Sequence, residues 1–266
     1  MSNIESLRLQ GVEESSTLAM AALAREYKAK GVDVISLSLG EPDFKTPNHI
    51  CEGAKKSIDS GDFFSYPPVP GYLDLREAIS EKFKNENNLN YGPNEIIVSN
   101  GVKHSITNVM FSILNPGDEV IVFAPFWVSY SAIITLADGI PIYINTTIEN
   151  DFKPTPEQLK DAITNKTKAI IFSSPCNPTG TVFTKQDLED YRKILIDHPE
   201  IIIISDEIYE HINFTDEHVS IGSLEGMNNR TITLNGFSKG FAMTGWRLGY
   251  IGAPSKIAKS INKMQG

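Results

Sequence analysis

From residue 95 onward, short apolar runs alternate with stretches in which apolar residues recur every three or four positions. The runs IIVS (96–99), EVIVFAP (119–125), IPIYI (140–144), KAIIFSS (168–174), IIIIS (201–205), TITLN (231–235) and LGYIGA (248–253) have the length and character of buried strands. Between them Val102, Ile106, Val109 and Ile113 keep helical spacing, and helices are likewise predicted up to about residue 136, over PTPEQLKDAI and over TKQDLEDYRKIL. Strands apolar on both faces and separated by helices predict an α/β fold, a three-layer α/β/α sandwich around a mostly parallel sheet. Upstream, Ser16 or Thr17 followed by LAMAALAREYKAK and Gly31 predicts a capped helix. VDVISLSL (32–39) alternates as a short strand, and two more helices, about 47–60 and 73–85, flank the Pro/Gly-rich YPPVPG (66–71). The first residues read as a polar arm. The pattern contains no internal repeat and neither GxGxxG nor GxxxxGK[ST].

Composition narrows the class. With 41% AVILMFWYC and 21% charged residues, the 266-residue chain reads as a folded globular protein rather than a disordered or fibrous one. Its longest apolar runs, such as 201–204, fall far short of the ~20 residues of a membrane helix, and the N-terminus lacks the apolar core of a secretory signal. Two cysteines, Cys51 and Cys176, cannot build a disulfide framework, so a cytoplasmic location is expected. Lys and Arg number 24 against 33 Asp and Glu, a net charge of −9 without a basic block. That excludes a nucleic-acid or anionic-membrane surface as the expected partner, but leaves room for a small anionic ligand held by a few local cations.

Ligands of such sheets bind beyond the carboxyl ends of the strands. There the sequence places Asn100-Gly101-Val102-Lys103 at a helix start, Phe126 and Trp127, then Asn177 within PCNPTG. Asp206, Glu207 and Tyr209 follow, then Ser238 and Lys239, and last Thr244, Trp246 and Arg247. Singly, each has an ordinary reading as a turn, an N-cap, a core aromatic or a solvated charge. Together they match a phosphorylated aromatic aldehyde. A helix N-terminus and an arginine suit its phosphate, an indole its ring face and a carboxylate its pyridine nitrogen. Amide and phenol suit its ring oxygen, and one lysine suits a Schiff base. Pyridoxal phosphate meets every requirement, and no metal is expected.

SLSLGEPDF (36–44), SSPCNPTG (173–180), SDEIYEHINF (205–214) and NGFSKGFAMTGWRLGY (235–250) resemble the class I aminotransferases of pyridoxal-phosphate fold type I. The likeness is greatest to the bacterial aspartate aminotransferase branch that includes aspartate/prephenate enzymes, and it spans essentially the whole chain. The resemblance implies that Lys239 carries the cofactor and shuttles the proton, Asp206 holds the pyridinium, and Tyr209 and Asn177 bind the ring oxygen. It further implies that Trp127 stacks on the ring, and that Gly101, Val102, Lys103, Ser238 and Arg247 surround the phosphate. Tyr66 would reach the phosphate of a neighbouring subunit, making the homodimer part of the site. Gly40, Lys103, Trp127 and Asn177 would meet the substrate, with Lys103 on its distal carboxylate.

The implied reaction is ping-pong transfer of an amino group from L-aspartate to 2-oxoglutarate. Prephenate or aromatic transamination and β-elimination are the enzymatic alternatives. A cofactor-sensing regulator is the non-enzymatic one, disfavoured because residues 1–35 are too short and acidic for a winged helix. Two positions depart from the family pattern: Gly236 stands where a phosphate-binding serine is common, and Val102 replaces a small residue. The expected division is an arm and small-domain segment over 1–46 and a large cofactor domain over 47–266. Arg247 is the last arginine, so a C-terminal small domain bearing a carboxylate-binding arginine is expected to be absent from this chain.

Overall fold

The computed structural model describes residues 4–215 and 217–266. Nine α-helices and seven strands follow one another among these residues. α1 (Leu7–Gln10), α2 (Ser16–Ala29), α3 (Asn48–Ser60) and α4 (Leu73–Asn87) precede β1 (Ile96–Ser99). Then come α5 (Val102–Ile113), β2 (Glu119–Ala124), α6 (Ser129–Leu136), β3 (Ile140–Asn145), α7 (Pro156–Ala162) and β4 (Thr167–Ser173). α8 (Lys185–Leu195), β5 (Ile202–Asp206), β6 (Thr231–Gly236), β7 (Gly249–Gly252) and α9 (Ser255–Gln265) complete the order.

The strands form one sheet in the order β1-β7-β6-β5-β4-β2-β3. β2, β3, β4, β5 and β6 pair in parallel, and β7 alone runs against its neighbours β1 and β6. Residues 237–248 return the chain beside β6 in the opposite sense, whereas the longer connection 207–230 brings β6 parallel to β5 with no α-helix among its described residues. Period-two alternation sends side chains to two cores. Val120, Val122, Ile171, Ile204 and Leu234 face α5, α6 and α9, while Ile121, Phe123, Ile170, Phe172 and Ile203 face α7 and α8. α4 lies on the second face over Ile96 and Tyr250, through Ile79 and Phe83. The result is the three-layer α/β/α sandwich with a mostly parallel sheet.

Helix starts follow side-chain chemistry. Thr155 and Thr184 cap α7 and α8 with reciprocal bonds to Gln158 and Asp187, and Ser15 caps α2 through Leu18 N. The α2 cap is thus Ser15 rather than the expected Ser16 or Thr17. VDVISLSL is not a strand: residues 32–39 lie outside every ladder, and Ile35 and Leu37 are 86% and 91% exposed. Alternation supplies two faces, but a strand also needs a neighbour to pair with. α9 was not anticipated; Ile257, Ala258 and Ile261 on its inner face were too few to read as periodic.

Candidate active site

The carboxyl ends of the strands open into a cleft of about 880 Å3, a size suited to a small ligand. After β1 the chain turns at Gly101 (φ 86°) into α5. The first-turn N–H groups of Val102 and Lys103 have no carbonyl within the helix and, with its dipole, form an anion cradle. A Cβ on Gly101 would lie 2.3 Å from Arg247 Nη2, so only glycine lets the guanidinium lie against this turn. From below, Gly249 of β7 makes room: a Cβ there would stand 2.6 Å from Val102 N. Gly236 meets Gly249 across the β6–β7 pair, where a Cβ would be 3.0 Å from both Gly249 Cα and Leu248 O. A side chain at position 236 would need this backbone crossing to give by a few tenths of an ångström.

Arg247 holds a left-handed conformation (φ 58°) after the turn 244–246 and donates to Thr244 O (2.8 Å) and Asn100 O (3.3 Å). These bonds aim it at the cradle. Ser238 lines the cleft and is buried, whereas the Val102 side chain is spent on the core and leaves its N–H for the turn. Lys103 Nζ lies 5.0 Å over the Trp127 ring, and partial burial, then Arg247, pushes its pKa down.

Asp206 ends β5 almost fully buried. Its Oδ1 accepts from Ile208 N (3.3 Å) and its Oδ2 from the Tyr130 hydroxyl (2.7 Å). Burial raises its pKa to about 6, against the two hydrogen bonds and Lys239, which favour the carboxylate. Tyr209 receives the Asn177 amide at 3.5 Å, and burial with nearby Asp206 keeps its phenol protonated. Lys239 Nζ donates to Gly40 O at 2.6 Å and sits 5.7 Å from the Tyr209 ring. Its pKa is lowered, chiefly by burial and further by Arg247, with Glu41 and Asp206 opposing. The segment carrying Gly40 is moored to the lysine loop by Thr244 Oγ1 to Glu41 (3.1 Å) and Thr46 Oγ1 to Ala242 O (2.6 Å).

The cleft therefore gathers Gly40, Val102, Lys103, Trp127, Asn177, Asp206, Tyr209, Ser238, Lys239 and Arg247, with Gly101 behind the cradle. Tyr66 is not among them; it is fully exposed and outside the cleft of its own chain. Tyr130 escaped the sequence reading. It stands 76 positions from Asp206, and a tyrosine on an apolar helix carries no mark of a polar task.

The class I and II aminotransferase family profile matches residues 32–266, and the chain belongs to that family. It is 48% identical over 259 residues to an aspartate aminotransferase of Bacillus sp. (strain YM-2), covering 97% of this chain and 66% of that one. It is 44% identical over 262 residues to an aspartate/prephenate aminotransferase of Nitrosomonas europaea, covering 98% and 66%. Among solved structures, an aspartate aminotransferase from Thermus thermophilus with maleate superposes with a TM-score of 0.95 at 42% identity, over 99% of this chain and 68% of that one. The chain thus spans just under two thirds of these curated relatives' length, and about half of some others. The family depends on pyridoxal phosphate, and the donor set here fits that group. The glycine-framed cradle with its arginine suits a phosphate, the buried carboxylate a protonated ring nitrogen, and the desolvated lysine an aldehyde.

Proposed function

We propose that the protein acts as a pyridoxal-phosphate-dependent aminotransferase that converts L-aspartate and 2-oxoglutarate to oxaloacetate and L-glutamate by a ping-pong route. The observation that carries this reading is the convergence of Lys239, Asp206 and the Asn177–Tyr209 pair on one cleft whose end is the Gly101–Arg247 cradle. The bound cofactor supplies an aldehyde that condenses with amines and a ring that accepts the electron pair left when Cα loses its proton.

The chain's own residues do the rest. The cradle N–H groups, Ser238 and Arg247 would hold the phosphate. Asp206, with a pKa of about 6, would keep a proton on the ring nitrogen. Asn177 and Tyr209 would donate to the ring oxygen, and Trp127 would cover one face. Lys239 Nζ, its pKa lowered chiefly by burial, is shifted toward the neutral amine that would attack the aldehyde and take the Cα proton of the amino donor. Lys103 faces the cleft as the cation for a second carboxylate, which supports an acidic substrate.

The reading extends to organisation. Residues 1–46 are taken as an arm and small-domain segment, and 47–266 as the large domain. Two copies are taken to share their sites, with Tyr66 reaching the partner's phosphate; the exposed Phe63, Phe64 and Tyr66 support an interface there. A cytoplasmic location is supported by the two free cysteines. No helix among the described residues is long and apolar enough to cross a membrane.

The test is spectroscopic and kinetic. Protein mixed with pyridoxal phosphate should develop a visible absorption band that survives dialysis and disappears in Lys239→Ala. Aspartate alone should release oxaloacetate only in proportion to enzyme, and continued turnover should require 2-oxoglutarate as well. A wild type that stays colourless, or a band unchanged in Lys239→Ala, would overturn the reading.

A further inference from the structure

A fully buried phenol stands behind the carboxylate of the cleft. Tyr130 on α6 donates to Asp206 Oδ2 at 2.7 Å, and the Ser173 hydroxyl at the end of β4 acts on the same phenol. Ser173 Oγ also receives Asn177 N at 3.4 Å. The ring of Tyr130 is set edge-on against Trp127 (centroids 5.6 Å apart, planes at 88°) and stacked with Phe126. Asn177, Ser173, Tyr130 and Asp206 therefore line up behind the cleft, and Tyr130 braces Trp127.

We propose that Tyr130, backed by Ser173, is a positioning residue that orients the Asp206 carboxylate and holds it ionised for the ring nitrogen of the cofactor. This rests on the pyridoxal phosphate reading of the cleft. The physical case is direct. A carboxylate this deeply buried loses the water that would stabilise its charge, and its oxygens are free to turn. The Ile208 N–H fixes Oδ1 from the β5 end, and the Tyr130 hydroxyl fixes Oδ2 from α6, so rotation stops. A phenol suits the task because burial keeps it protonated and its bond to a charged carboxylate is stronger than its bond to the neutral acid. The other groups bearing on Asp206 are Glu207 beside it, which opposes its charge, Lys239, which favours it, and Tyr209 across the cleft.

The experiment measures pyridoxal phosphate affinity by quenching of tryptophan fluorescence in the full chain, across about pH 5 to 9, where a shifted carboxylate titrates. Wild type is compared with Tyr130→Phe, Asp206→Asn and the double variant. Losing one hydrogen bond to a charged group should weaken Tyr130→Phe binding about ten-fold near neutrality and move its acid limb up by about one pH unit. In the Asp206→Asn background the same change should have little further effect. Phenylalanine retains the packed ring, and Ser173→Ala gives an independent reading: it should move the limb in the same direction by less.

A Tyr130→Phe profile superimposed on wild type overturns the assignment. So does an equal loss in the Asp206→Asn background, which marks a packing effect, or a Ser173→Ala profile that does not move. Wild type that takes up no cofactor at any pH overturns the reading of the cleft itself, and the assignment with it; wild-type uptake lost as a visible band in Lys239→Ala leaves that reading standing while Tyr130 is judged alone.

Discussion

Lys103 and Lys239 show how one side-chain type is given two tasks by its surroundings. Lys239 is held between Gly40 O and the Tyr209 ring, with burial as the main force on its pKa, which favours the neutral amine of a nucleophile. Lys103 lies over Trp127 at the cleft wall, where a charge-assisted bond to a carboxylate would offset its partial desolvation. Lys103→Ala should therefore raise KM for aspartate by about ten-fold while leaving an alanine-like donor within about two-fold, as expected for one lost bond to a charged group. Steady-state kinetics with the two donors decides it; equal losses remove Lys103 from carboxylate recognition. Arg247 completes the set, its left-handed backbone accepted so that the guanidinium lies against Gly101.

Between elements, a second polar cluster lies on the other side of β5 from the cleft and ties α4 to the loop after that strand. Lys82 pairs with Glu210, and Asn87 Nδ2 donates to Glu210 Oε2 at 2.6 Å. Ser205, Ser220 and His218 converge on Glu207 at 2.9, 2.6 and 3.0 Å. Burial by itself would lower the His218 pKa, but the Glu207 carboxylate outweighs it and the net shift is upward. A folded-state pKa above the unfolded value makes this contribution complete below the unfolded pKa and progressively lost as pH rises through the folded one. His218→Gln should thus cost about 1–3 kcal/mol near pH 6 and distinctly less near pH 9. Urea unfolding at the two pH values measures it, and a pH-independent loss would show that the histidine acts through shape alone.

At the scale of the whole molecule, apolar exposure is uneven. The inner strands bury most of their Val and Ile residues on both faces, whereas Ile35, Leu37, Phe44, Phe64 and Tyr66 are largely exposed. Patches of this kind mark surfaces that meet other protein. Under the two-copy reading, sedimentation should report twice the chain mass, and Phe64→Glu should both lower that mass and loosen cofactor retention by removing the partner's Tyr66 from the phosphate. A wild-type monomer that keeps its cofactor through dialysis would contradict shared sites.

The sheet was legible in the chain because strands buried on both faces must be apolar throughout, and no other element of that length requires it. The site was legible for a related reason: such sheets carry ligands at one edge, so Asp206, Asn177, Lys239 and Arg247 could be gathered from the strand ends alone. Three features came only from the tertiary structure. β7 runs against β1 and β6, a direction that its apolar run does not encode. Residues 32–39 alternate without becoming a strand because no neighbour offers them hydrogen bonds. Tyr130 acquires a polar task because α6 brings its hydroxyl within 2.7 Å of Asp206. Pattern in a sequence reports which faces of an element must be dry; which elements meet, and so which oxygen finds which proton, is decided only when the layers close.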